Sequence, residues 1–134
     1  MKYNISEEIN KLRYEYLEKY NIMIDFIYLN DVPHYLEGDF NKIKNLFDKV
    51  FDYLIKQELE KITVEMYFED YEGTYLLDIS VTSEHFKVDK RPLDTSFVEK
   101  ELNELEGDII PNPKKDFGLE LLINFPIKEY NENN

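Results

Sequence analysis

Residues 37–57, EGDFNKIKNLFDKVFDYLIKQ, decide the fold. Phe40, Ile43, Phe47, Val50 and Leu54 recur every three or four positions, and Leu46, Phe51 and Ile55 widen the stripe. Asn41, Lys42, Lys44, Asp48, Lys49 and Asp52 fall mostly on the opposite side. A broad apolar face at helical period predicts a long helix laid on a core. Asp39 reads as its N-cap, and Gly38 lets the chain turn into it.

Outward from this helix, residues 6–20 predict a first helix with the stripe Ile9, Leu12, Tyr16 and Tyr20. Ser6 reads as its cap, and Asn21 as a left-handed end. Residues 22–29 alternate as a strand, with Ile22, Ile24, Phe26 and Tyr28 on one side. After the long helix, residues 61–68 and 74–81 alternate about a turn at Tyr71-Glu72-Gly73, which predicts a hairpin with one polar face. Residues 82–92 read as irregular. Residues 94–105 predict a shorter helix carrying Phe97, Val98, Leu102 and Leu105 inward, with Ser96 and Glu99 spaced as a capping box and Gly107 as its stop. Residues 108–110 and 119–127 predict a last strand pair joined by 111–118, and 129–134 a disordered tail.

The order is α-β-α-β-β-α-β-β. It fits an α+β, two-layer sandwich: a mixed, mostly antiparallel sheet of about five strands with three helices on one face, forming one domain over 1–128.

The chain has 134 residues, 43% of them apolar and 15% aromatic, enough for one domain that buries roughly two thirds of its unfolded surface. Its net charge of −13 disfavours nucleic acid and anionic membranes, which it would repel. With no cysteine, disulfides and thiolate metal sites are excluded. No apolar run approaches about 20 residues and no signal peptide is visible, so a cytoplasmic location is expected.

Order and spacing together resemble the ATP-binding domain of sensor histidine kinases, in the GHKL superfamily. The similarity rests on Pro33, on Leu36-Glu37-Gly38-Asp39, and on the long helix ending Asp52-Tyr53-Leu54-Ile55-Lys56, similar to an N-box helix ending Asp-Asn-Ala-Ile-Lys. Leu77-Asp78-Ile79-Ser80-Val81 resembles the strand leading to the first glycine box. Leu105-Glu106-Gly107-Asp108-Ile109, Phe117-Gly118-Leu119-Glu120 and Phe125-Pro126 resemble the closing strand pair. The resemblance implies a Bergerat-like fold with its ATP lid shortened to about residues 87–91.

Each nucleotide box departs from that pattern. Tyr53 stands where the family has a Mg²⁺-binding asparagine, and Lys49 replaces another asparagine one turn earlier. Where the first glycine box has an aspartate for adenine and two glycines, this chain has Thr82-Ser83-Glu84-His85-Phe86. Thr82 lacks the carboxylate, and Glu84 and Phe86 place side chains where backbone must approach ligand. The second glycine box is Pro92-Leu93-Asp94-Thr95, with Asp94 bringing negative charge to a phosphate-cradling helix start.

The resemblance therefore implies a degenerate, non-catalytic relative with no cofactor. Such a module would regulate two-component signalling by docking on a response regulator, a histidine kinase or a phosphotransfer protein. Tyr14, Tyr16, Tyr53 and Phe86 are the candidate partner surface, against the blander reading of edge-of-core aromatics. Dimerisation through the first helix is allowed but not required. Three alternatives stay open: a histidine phosphotransferase component acting through His34 or His85, ATP binding retained in altered form, and an unrelated α+β interaction domain. Both histidines fall outside predicted helices, where surface loop histidines are the ordinary reading. The Asp48/Asp52 pair reads as a solvated face, and Glu69, Asp70 and Glu72 as a charged hairpin tip.

Overall fold

The computed structural model describes residues 1–57, 61–83, 94–114 and 118–131. In chain order the elements are β1 (Lys2–Tyr3), α1 (Ile5–Tyr20), β2 (Ile24–Tyr28), β3 (Leu36–Glu37), α2 (Asn41–Lys56), β4 (Ile62–Asp70) and β5 (Thr74–Ser83). A 3₁₀ turn (Ser96–Val98), α3 (Glu99–Leu105), β6 (Asp108–Lys114) and β7 (Gly118–Lys128) complete the chain. Five strands form one sheet in the order β2-β4-β5-β7-β6. Only β2 and β4 run parallel, because α2 carries the chain between them; the other neighbours are antiparallel.

Register explains the two layers. Val64 faces Val81, which faces Leu121; Met66 faces Ile79, then Ile123; Phe68 faces Leu77, then Phe125. These rows are buried. Onto them pack Ile43, Leu46, Phe47, Val50, Phe51 and Leu54 of α2, and Ile5, Ile9, Leu12 and Tyr16 of α1. The alternate residues, Glu65, Tyr67, Asp78, Ser80 and Leu122 among them, form the other face, which no described element covers. The expected sandwich, with a mixed sheet and three helices on one face, is what the chain forms.

Local devices differ in part from the sequence reading. Phe40, not Asp39, occupies the position just before α2 and offers no side-chain cap; Asp39, one residue earlier, supplies the contact, its Oδ1 accepting from the Asn41 amide at 2.9 Å, with Gly38 at φ +109° as expected. In α1 the cap is Asn4, not Ser6: its side chain accepts from the Glu7 amide at 3.1 Å, and the helix gains a buried Ile5. Asn21 ends it at φ 55° as expected. The hairpin turns through Glu72 and Gly73, both at positive φ, as a two-residue turn that matches strand twist. The segment read as one helix over 94–105 is a 3₁₀ turn followed by seven residues of α3. Asp94 Oδ1 accepts from the Ser96 amide at 2.9 Å, so the expected Ser96/Glu99 box gives way to a local Asp94 turn. Glu106, at φ 56°, takes the left-handed end, and the Gly107 amide donates to Leu102 O at 2.9 Å. Gly107 is required for another reason: a Cβ there would lie 2.5 Å from Asn124 O and 2.9 Å from Phe125 Cβ.

Two further segments are more ordered than read. Strand β6 runs through Pro111 and Pro113 to Lys114, although 111–118 read as a connection. An edge strand with a single partner tolerates proline. At the tail, the Glu129 and Tyr130 amides donate to Gly73 O and Tyr35 O at 2.9 and 3.0 Å, so those two residues are tied down. The two-stranded β1–β3 sheet was not visible in the periodicity, being only two residues per strand.

Candidate functional site

Of the motif positions, Tyr53 and Asp94 come near each other at the end of the sandwich where α2 leads toward β4 and β5 ends at Ser83, opposite Ile62. Tyr53 lies in the last turn of α2, between the buried Val50 and Leu54. Its ring stacks on Phe97 of the 3₁₀ turn, with centroids 4.4 Å apart and planes inclined by 12°. Both rings are partly buried against the core. Together they fill the space between the end of α2 and the start of α3.

Asp94 sits at the entry to that turn. Its hydrogen bond from the Ser96 amide holds its carboxyl below the usual carboxylate range, so it is ionised at neutral pH. Burial, and then the Asp94 charge, push the Tyr53 hydroxyl up, so the ring stays neutral. Lys49, one turn earlier on α2, is exposed. Along α3 and β6 lies a cavity of ≈ 400 Å³ lined by Asp94, Ser96, Glu99, Asn103 and Asp108, with no lysine or arginine among the described residues of its wall. Three carboxylates in one mouth disfavour a polyanion.

The strand register corrects one motif position. Thr82 pairs with Thr63 and Glu120 on the open face and points away from α2. Its neighbour Ser83 points inward; it is 1% exposed, and its hydroxyl has no hydrogen-bond partner among the described residues. The alternation Leu77, Ile79, Val81 foretold this, because the next inward position is 83, not 82. Glu84, His85, Phe86, Pro92 and the lid span 87–91 lie outside the described residues.

Of the candidate aromatic surface, Phe86 lies outside the described residues and Tyr16 does not reach the surface. Tyr14 is 58% exposed, but Tyr16 is 3% exposed and belongs to the core, edge-on to Phe51 at 5.2 Å. A buried tyrosine needs a partner for its hydroxyl. Tyr16 donates to Asp48 Oδ1 at 2.9 Å and approaches Asp52 Oδ1 at 3.4 Å, while Lys44 binds Asp48 Oδ2 at 2.9 Å. The carboxylates four apart on α2 are thus a clamp between α1 and α2. Burial, followed by the bond and charge of Asp48, pushes the Tyr16 hydroxyl far up. His34 is exposed in the loop before β3, its ring edge-on to Tyr35 at 4.3 Å. Among the described residues no three His, Cys, Asp or Glu side chains converge as a metal site, and no helix is long and apolar enough to cross a membrane.

No protein-family model matches the chain, and no curated protein matches it. Solved structures do match in fold. The ATP-binding domain of PrrB from Mycobacterium tuberculosis superposes with a TM-score of 0.71 at 10% identity, covering 96% of this chain and 98% of that one. Full-length ShkA in complex with AMPPNP gives 0.68 at 11% identity, over 97% of this chain and 31% of ShkA. Histidine kinase ThkA in complex with response regulator protein TrrA gives 0.61 at 17% identity, over 100% of this chain and 43% of that one. The chain therefore has the fold of histidine kinase ATP-binding domains.

Proposed function

We propose that this chain is a degenerate, non-catalytic member of the histidine kinase-like group. In this reading it does not bind ATP and serves two-component signalling as a protein-interaction module. The Tyr53–Phe97 stack carries the reading. The resemblance assigns position 53 to a Mg²⁺-binding asparagine. A neutral phenol locked face to face with a second ring offers no comparable ligand, and the metal prefers a near-octahedral set of oxygens. Asp94 adds negative charge where the γ-phosphate would need donors. A response regulator is the favoured partner, since a chain of the same fold is seen in complex with one.

Melting the full chain with and without ATP and Mg²⁺ tests this. A ligand present at 100 times its Kd would add about 2.7 kcal/mol, roughly 10 °C for a domain of this size. No shift at millimolar ATP is expected; a shift of several degrees overturns the reading. The buried Ser83 hydroxyl, which has no hydrogen-bond partner among the described residues, favours a second reading, in which the base end of the pocket still accepts a purine. The same melt with adenosine in place of ATP separates the two.

A further inference from the structure

We propose that the open face of the sheet docks a basic, amphipathic helix of a partner protein. This goes beyond the reading above, because the surface lies on the opposite side of the sheet from α2.

Apolar side chains stand out on this face. Ile27, Leu29, Tyr67, Leu122 and Ile110 are 45%, 54%, 44%, 37% and 59% exposed. The register aligns them: Ile27, Glu65, Ser80, Leu122 and Ile110 form one cross-strand row, and Tyr67, Asp78, Asn124 and Asp108 the next. A shallow cavity of ≈ 330 Å³ runs along both rows from Leu29 to Ile110. Contiguous exposed apolar surface of this kind is uncommon on a chain that works alone.

Charge selects the occupant. Asp25, Glu65, Glu69, Asp78, Glu120 and Asp108 share the face, and its central rows contain no lysine or arginine. Among the described residues no cation pairs with Glu65, Glu69 or Asp78. Partial burial and then the neighbouring Glu69 push the Asp78 carboxyl up, so like charges are crowded here and a cation would relieve them. A second copy of this chain would set carboxylates against carboxylates, and nucleic acid or anionic lipid would be repelled. Leu29 and Ile110 stand four strand spacings apart, about 19 Å, which matches about 13 residues of helix. The fitting ligand therefore alternates leucine-like and lysine-like side chains at helical spacing.

The test uses the full chain labelled with ¹⁵N and, as probe, an 18-residue peptide of leucine and lysine at helical spacing. Amide shifts are expected at Ile27, Leu29, Tyr67, Ile110 and Leu122. Affinity should fall at least tenfold in the Glu65→Lys/Asp78→Lys double variant and in Ile110→Ser, which is an exposed edge-strand change and leaves the fold intact. Glu18→Lys/Glu104→Lys, with the same charge change on exposed helix positions, should stay within twofold. Three results would overturn the proposal: equal losses in both charge-reversal variants, shifts confined to other surfaces, or self-association of the unliganded chain that Ile110→Ser abolishes. The nucleotide melt reports on the other side of the sheet, so failure here leaves that reading standing.

Discussion

Truncating Tyr53 tests the closure of the cleft and its energetics together. An aromatic side chain offers about 200 Å² for burial; Tyr53 is partly buried, so Tyr53→Ala removes roughly 100 Å² from the interior. At ~25 cal/mol per Å² that is about 2.5 kcal/mol. Stacking at 4.4 Å and 12° adds about 0.5–1.5 kcal/mol that exists only while Phe97 is present. Tyr53→Ala should therefore cost about 3–4 kcal/mol, lowering Tm by more than 10 °C. The double cycle with Phe97→Ala should return a coupling of about 1 kcal/mol. Urea unfolding at pH 7, followed by circular dichroism, measures all four corners. Additivity within about 0.3 kcal/mol would mean that the rings do not hold each other, and the closed cleft would lose its physical basis.

Three further changes have defined outcomes. Gly107→Ala forces a Cβ against Asn124 O and Phe125 and should cost at least about 2 kcal/mol in urea unfolding, since backbone cannot yield as a flexible side chain would. Tyr16→Phe deletes the hydroxyl bridging α1 to Asp48 and should cost about 1 kcal/mol at pH 7. The folded Tyr16 value is raised, so its stabilisation is complete below the unfolded tyrosine value near 10 and is lost as pH rises beyond it; stability should fall above about pH 10, less steeply in Tyr16→Phe. Asp78 has a raised folded value, so its charged form opposes folding above that value. Asp78→Asn should raise Tm at pH 7, and the gain should vanish below about pH 3.8, where both states are protonated.

Most of the scaffold was legible because burial imposes simple periods. The stripe from Phe40 to Leu54 is buried as its spacing predicts, and the alternation in β4 and β5 puts Val64, Met66, Ile79 and Val81 inward. Elements shorter than one period escaped: β1 and β3 pair through two residues each and carry no pattern. Proline misled at 111 and 113, since its penalty depends on whether the strand has one neighbour or two, which topology decides. At the candidate site, Tyr53 and Asp94 stand out only through the family resemblance, and the strand register turns Thr82 to the open face. A one-residue slip along a strand exchanges faces, so Ser83 took the inward place. Phe97 read only as a core residue, because its stacking partner lies 44 positions earlier and stacking across elements leaves no local trace. Tyr16 was on the expected stripe, but its exposure was misjudged for lack of the Asp48 contact.

Calorimetric titration of the full chain with ATP in excess Mg²⁺ tests the central claim most directly. A cleft plugged by Tyr53 and Phe97 and guarded by Asp94 predicts no saturable heat up to millimolar nucleotide. A micromolar Kd that weakens when Tyr53 is changed would contradict it.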